Sequence, residues 1–430
     1  MSWRGKVILV NTTDRGGGAE RVGWLLLKGL EARGVDAWMA VGDKKTTDSR
    51  VIPFWGSPHF DYRPYAGVVD RARRRLTLAA ERWLGLEGFA HPYSTLLLEL
   101  TGQPPPDLVL GVNLHGGFFD LRALAPLSKQ VPVVLRPGDS WLVTGHCACP
   151  GQCDRWLRGC GHCPDLEREP AIPRDATAFN WRRKQRIYAH SELHVIALSE
   201  WQLKRLNQSM LGPSIRSSRV IPNGVDPGIF HQGSRREARD ALGLPHLRPI
   251  FLTVAHGGVS NRFKDWATLE AAVRRLSDAN VGHEPLFVIV GGRKPRTEQW
   301  GSTEVRHVPY LDVPADLAAY YRAADLLVHA THEESFSNVV AEAISVGLPV
   351  VASRVAALPE LVDHERTGLL VPPYRPDALA GAIEQLLADP RRRETFSAAA
   401  AKRARVSCGL DRMVDAYLDY FAQLVADRLR

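Results

Sequence analysis

The chain has 430 residues, with 55 Lys and Arg against 47 Asp and Glu, a formal charge of +8; this length fits two or three domains. Its 45% hydrophobic and 24% charged residues are the balance of a globular protein and exclude a disordered, collagenous or coiled-coil chain. No apolar run approaches the roughly 20 residues of a membrane-spanning helix, and Val7 to Val10 is too short for a signal-peptide core, so a cytoplasmic location is expected. The modest positive excess suits anionic phosphates or a membrane surface, with no nucleic acid expected as a partner.

The elements begin with a buried-strand pattern, Lys6 to Asn11, followed by a glycine turn and an apolar-periodic helix near Ala19 to Arg33 that stops at Gly34. Between Ser57 and Thr101, Arg71, Arg73, Arg74, Arg75 and Arg82 alternate with Leu76, Leu78, Trp83 and Leu84. This is a basic amphipathic helix, suited to an anionic membrane surface or to an ordinary solvated face. Short Val/Leu-rich strands follow at Val35 to Val41, Asp107 to Leu114, Val131 to Leu135 and Val195 to Leu198, the grammar of a parallel sheet covered on both faces. After the turn-rich Arg219 to Asp226 the pattern restarts, with strands expected at Ile250 to Ala255, Leu286 to Val290, Val305 to Val308, Leu326 to His329, Val350 to Ala352 and Leu369 to Val371. The expected fold is α/β, with two doubly wound Rossmann-like domains, 1–212 and 213–409, facing a central cleft that is the natural place for a ligand. The amphipathic segment 410–430 is expected to pack back on the first domain.

The most specific pattern is Glu334-Ser-Phe-Ser-Asn-Val-Val-Ala-Glu342, two carboxylates eight positions apart across a strand-to-helix turn. A helix starting near Phe336 would aim free N–H groups and its positive dipole end at a diphosphate. Glu342, two turns along, suits vicinal ribose hydroxyls, and Glu334 suits sugar hydroxyls at the helix mouth. The stretch resembles the E-x7-E element of retaining glycosyltransferases with the two-Rossmann-domain (GT-B) architecture, specifically glycosyltransferase family 4. The resemblance continues through Val351 to Glu360 and Glu365 to Val371, and backwards through Tyr320 to Asp325 and Ile221 to Asp226.

That resemblance implies roles for individual residues. Glu342 would hold the donor ribose, and Glu334 would lie near the transferred sugar and phosphates. Backbone amides across Ser335, Phe336, Ser337, Asn338 and Val339 would bind the diphosphate, which Lys264 would neutralise. The family's arginine five residues before that lysine is Val259 here, and Arg262 is the available substitute. Pro309, in Val308-Pro-Tyr310, falls where the family's backbone meets the base, which leaves UDP- and GDP-sugars as donors. Gly16, Gly17 and Gly18 match the family's glycine-rich loop, where small residues let the backbone approach phosphate and acceptor. His115 offers an imidazole at a strand end. The family also implies retention at the anomeric carbon without a catalytic metal, and no Asp-x-Asp motif occurs in the chain.

Five of the six cysteines fall between Cys147 and Cys163. Cys147, Cys153, Cys160 and Cys163 match a tetrahedral structural zinc site in ligand type, with Cys149 or His146 as possible replacements; disulfides and free thiols are the alternatives. The segment from Asp139 to Pro164 resembles that of bacterial exopolysaccharide glycosyltransferases of the colanic-acid type, whose histidine before Asp-x-Trp is Gly138 here, while Asp139 and Trp141 remain. The expected function is transfer of a sugar from a nucleotide sugar to a glycan, lipid-linked or small-molecule acceptor in polysaccharide assembly. A sugar-phosphate synthase or phosphorylase, or a non-catalytic protein of the same fold, are the other readings.

Overall fold

The structure is a computed structural model that describes residues 3–54, 68–88, 91–278 and 284–430, apart from the side chains of 68–71, 73, 74, 92, 277 and 278. It divides into two compact units, Met1–Ile221 with Asp411–Arg430, and Pro222–Leu410.

The first unit is built on strands β1 (Lys6–Thr13), β2 (Asp36–Asp43), β3 (Val51–Pro53), β4 (Leu108–Gly111), β5 (Val133–Leu135), β6 (Leu193–Ala197) and β7 (Ile215–Val220). They form one sheet in the order β3-β2-β1-β4-β5-β6-β7. Every pairing is parallel, with Val7 to Val10 of β1 set against Ala37 to Ala40 on one side and Leu108 to Gly111 on the other. Such a strand is buried on both faces, which is why it reads as an unbroken apolar run rather than an alternation. Helices α1 (Gly18–Ala32), α2 (Val68–Leu84), α3 (Leu124–Gln130), α4 (Thr177–Ala189) and α5 (Glu200–Gln208) connect the strands.

The second unit carries α6 (Arg235–Leu242), β8 (Ile250–Val254), α7 (Trp266–Asp278), β9 (Leu286–Gly292), β10 (Arg296–Trp300), β11 (Thr303–Pro309), α8 (Pro314–Ala323), β12 (Leu326–His329), α9 (Asn338–Ser345), β13 (Val350–Ser353), α10 (Leu358–Leu361), β14 (Gly368–Val371), α11 (Pro376–Ala388) and α12 (Pro390–Ser407). Its sheet runs β10-β11-β9-β8-β12-β13-β14, parallel except for the β10–β11 hairpin. In both units the strand order reverses beside the first strand, between β1 and β4 and between β8 and β12. Ligands of open α/β sheets bind outside the carboxyl ends of the strands at such a point.

Three differences from the sequence expectation have physical causes. β7 pairs with β6 and keeps residues up to Ile221 in the first unit, so the boundary falls at 221/222 rather than 212/213. Its sequence, Ile-Arg-Ser-Ser-Arg-Val, is that of a polar edge strand and hides the pairing. The same holds for β10, Arg-Thr-Glu-Gln-Trp, which among the described residues pairs with β11 alone. The helix after Glu334 starts at Asn338, two residues later than Phe336, so Glu334 stands in the turn before it.

The closing helix α13 (Leu410–Leu429) belongs to the first unit. Arg33 reaches Asp411 at 2.9 Å and Asp415 at 2.6 Å, and α1 is so close that a Cβ at Gly29 would stand 2.4 Å from Val414. On α2 the side chains of Arg71, Arg73 and Arg74 lie outside the described residues. Glu81, the acid that interrupts the basic run, turns inward and is buried, whereas Leu76 and Trp83 are 72% and 59% exposed beside the exposed Arg75 and Arg82.

Candidate active site

In the second unit the turns leaving β8 and β12 are laced together. Phe263 O accepts from His332 N at 3.1 Å and from Thr331 Oγ1 at 2.9 Å, and Asp265 N donates to Ala330 O at 3.1 Å. This backbone pairing sets Lys264 opposite Thr331 and carries its side chain to Glu334, to which Nζ donates a short hydrogen bond. The two side chains are only 10% and 19% exposed. His329, the last residue of β12, is fully buried beneath them, with Nε2 3.1 Å from Glu334 Oε1, 3.4 Å from Ser337 Oγ and 3.5 Å from Lys264 Nζ.

The electrostatics of this triad follow from its partners. Burial alone would push the Glu334 carboxyl up, but the Lys264 charge and the hydrogen bonds from His329 and Lys264 outweigh it and hold the group down at about 2. Burial, followed by the Lys264 charge, pushes the His329 imidazole below its ordinary value against the pull of Glu334.

Ser337 caps α9, its hydroxyl accepting from Val340 N, in a backbone conformation with φ of 104°. A non-glycine residue there is strained, a condition that clusters at functional sites. Asn338 is tied by Asn223 Nδ2, which donates to its Oδ1 at 2.8 Å. Glu342, one turn into α9, is buried and accepts from Tyr321 OH of α8 at 2.9 Å. Glu334 and Glu342 thus belong to one turn-and-helix unit, the first in the turn and the second on the helix. Arg262 is exposed, and Pro309 sits at a register shift where β11 leaves β9. The next residue, Tyr310, is 40% exposed and meets the His256 ring edge-on at 5.1 Å.

In the first unit the corresponding turns hold the glycine loop. Asp14, at the end of β1, accepts from Lys45 N at 2.8 Å and Thr46 N at 2.9 Å, pinning the chain ahead of Gly16 and Gly17; Gly18 is already the first residue of α1. Beyond β4, Thr12 Oγ1 donates to His115 O at 3.0 Å. Gly116 has φ of 103°, and a Cβ there would come within 2.9 Å of Thr12 Cγ2, so glycine is required. His115 Nε2 lies 3.0 Å from Asp139 Oδ2, and Asp139 Oδ1 accepts from Trp141 N at 2.8 Å. Burial lowers the His115 pKa, but the Asp139 charge and hydrogen bond prevail and raise it. His115 opens on a cavity of about 1090 Å³ whose lining includes Arg82, Glu87, Phe119, Trp141 and Ile172. Sequence reasoning missed Glu87, Ile172 and, in the second unit, His329 and Tyr321.

None of the six cysteines forms a disulfide, and among the described residues no group of three or more His, Cys, Asp or Glu side chains is arranged to hold a metal ion. The expected set of Cys147, Cys153, Cys160 and Cys163 lines, with His146, one small cavity of about 20 Å³. His146 Nε2 stands 3.3 Å from Cys163 Sγ and its Nδ1 3.1 Å from Pro170 O. Cys160 and His162 both take left-handed φ values, 44° and 47°, in the turn between the last two thiols.

Residues 249–389 match the protein family described as Glycosyl transferases group 1. The chain is 34% identical over 221 residues to a D-inositol 3-phosphate glycosyltransferase of Nocardiopsis dassonvillei, covering 49% of this chain and 51% of that protein. It is 35% identical over 202 residues to the Thermobifida fusca protein of the same name, covering 44% and 46%. The matches thus span about half the length of these relatives. Among solved structures, sucrose-phosphate synthase from Thermosynechococcus elongatus superposes with a TM-score of 0.69 at 21% identity, covering 99% of this chain and 100% of that one. Anabaena HepE in complex with UDP and glucose gives 0.67 at 17% identity, covering 98% and 100%. These likenesses establish the fold, α/β with two Rossmann-like units as in GT-B proteins.

Proposed function

With a group 1 glycosyltransferase domain in its second unit as the premise, we propose that this chain is a retaining, metal-independent glycosyltransferase. It moves a sugar from a UDP- or GDP-sugar to a glycan, glycolipid or small-molecule acceptor in polysaccharide assembly. The observation that carries the reading is the Lys264–His329–Glu334 cluster ahead of the capped N-terminus of α9, at the β8–β12 switch point. A leaving nucleoside diphosphate gains charge as the glycosidic bond breaks, and a fixed cation with preoriented amides stabilises that state. Lys264 and the amides from Ser335 to Val339 supply both, Glu342 holds the ribose, and Glu334 orients the transferred sugar. Donor binding by relatives of the same fold is in keeping with this, since the HepE structure holds UDP and glucose.

The 1090 Å³ cavity beside His115, just above the usual range for ligand sites, is the acceptor site in this reading, with Asp139 fixing the imidazole. The experiment is incubation with UDP-glucose and GDP-mannose in chelator, followed by NMR of the anomeric proton of the transferred sugar in its new glycosidic bond. Retained α configuration supports the proposal, and a β product overturns it.

Two accessory roles belong to the same proposal. The cysteine loop binds one structural zinc: four thiols and an imidazole share one cavity, and an ion would draw them together. Elemental analysis is expected to find about one zinc per chain, lost in Cys160→Ser; metal-free, folded protein contradicts it. The exposed face of α2, with Leu76 and Trp83 beside Arg75 and Arg82, rests on an anionic membrane surface. Flotation with anionic vesicles is expected to be lost in an Arg75→Glu, Arg82→Glu variant, and undiminished flotation removes this role.

A further inference from the structure

We infer that His329 is a positioning residue for Glu334: a buried, uncharged N–H donor that keeps the carboxylate aimed as Lys264 turns to the donor diphosphate. The inference rests on the transferase reading for its catalytic consequence and on geometry alone for the state of the ring.

Three observations converge on that state. The His329 ring is fully buried at the end of β12. Its Nε2 faces the Glu334 Oε1 at 3.1 Å, a distance that requires a proton on this nitrogen because a carboxylate only accepts. Its Nδ1 is buried with no hydrogen-bond partner among the described residues. A proton there would be a desolvated donor without an acceptor, which is costly, whereas a bare lone pair is tolerated more easily. The ring is therefore neutral, with its single proton on Nε2. Among the described residues the charged groups that face it are Lys264, from the turn after β8, and Glu334, from the turn after its own strand; the Ser337 hydroxyl approaches from the cap of α9.

The consequence concerns what happens when a diphosphate arrives. In the unliganded protein Lys264 is committed to Glu334. A donor phosphate competes for the same ammonium group, and as Lys264 is shared, Glu334 loses part of its strongest electrostatic support. His329 cannot follow, because it is anchored in a strand and carries no charge that phosphate could attract. It stays as the fixed partner, preserving both the direction and the ionised state of the carboxylate.

Two variants and one direct measurement test this. In His329→Phe, hydrolysis of the nucleotide sugar without acceptor is expected to fall about tenfold or more in kcat, and the acid limb of its pH profile to move to higher pH as Glu334 becomes easier to protonate. UDP affinity should stay within about twofold, since the groups that hold the nucleotide in this reading, Lys264, the amides from Ser335 to Val339 and Glu342, are unchanged. His329→Gln places an uncharged N–H near the same point and should restore most of the rate and the original acid limb. Equal defects in both variants, or none in His329→Phe, would overturn the inference. For the wild-type protein, ¹⁵N NMR of labelled histidine should show one buried ring protonated on Nε2 alone from pH 5 to 8, and this signal should be missing from either variant. An Nδ1–H tautomer or an imidazolium sinks the idea whether or not the protein folds once mutated. If the wild type neither binds nor hydrolyses any nucleotide sugar, the transferase reading fails, and the NMR result still decides the state of His329.

Discussion

Lys264→Ala is expected to lower sugar transfer by about 100- to 1000-fold in kcat, the scale seen when one preorganised group facing developing charge is removed. The loss has two sources in this structure. The donor diphosphate loses its cation, and the largely buried Glu334 is left with His329 as its hydrogen-bond partner among the described residues. The second source also predicts a change in stability with pH. Glu334 is held at about 2 in the folded protein, below its ordinary value of roughly 4.3. It therefore contributes stability that is complete above that ordinary value and is lost as pH falls toward 2. Without Lys264 the folded-state pKa rises and this contribution shrinks. Thermal melts should show Lys264→Ala losing most, relative to wild type, near neutral pH, with the gap closing below about pH 4. A constant gap from pH 7 to 2 would mean that Lys264 supports the fold in some other way.

Glu342→Gln is expected to fold normally and to bind nucleoside diphosphate about 10- to 150-fold more weakly, the range for losing hydrogen bonds to a charged group. The isosteric amide keeps an oxygen that can accept from Tyr321 OH, the bond that now fixes Glu342 against α8. Glu342→Ala removes that acceptor and leaves a void beside the fully buried Tyr321, so it should add a loss of stability to the loss of binding. Comparing the two by calorimetry and thermal melts separates the ribose contact from the packing role. Parent-like affinity in Glu342→Gln would remove the residue from the donor site.

Much of the donor half was legible because its chemistry is local in sequence. The Glu334 to Glu342 stretch contains the turn, the cap and the helix in nine residues, and strands β8 and β12 read clearly as apolar runs. Lys264 is remote in sequence from Glu334, and only the resemblance to a known family joined them; the structure supplies the cause, the pairing of Phe263–Asp265 with Ala330–His332. His329 was not legible, since one histidine at the end of Leu-Leu-Val reads as part of a buried strand. Its single clue was a place at the carboxyl end of a strand five residues before Glu334. The edge strands β7 and β10 escaped because their exposed faces carry Arg, Ser, Glu and Gln, which mask the alternation. For the cysteine loop, spacing identified which thiols gather round one cavity but not their arrangement, which depends on a backbone with left-handed turns at Cys160 and His162.

The most direct measurement is a calorimetric titration of the purified protein with UDP and with GDP, in chelator, beside Lys264→Ala. Micromolar binding of one of the two nucleotides, lost or strongly weakened in the variant, is the expected result and identifies the base of the donor. Folded wild-type protein that binds neither nucleotide, or a variant that binds as tightly as its parent, would contradict the assignment of a donor diphosphate to the Lys264–Glu334 site.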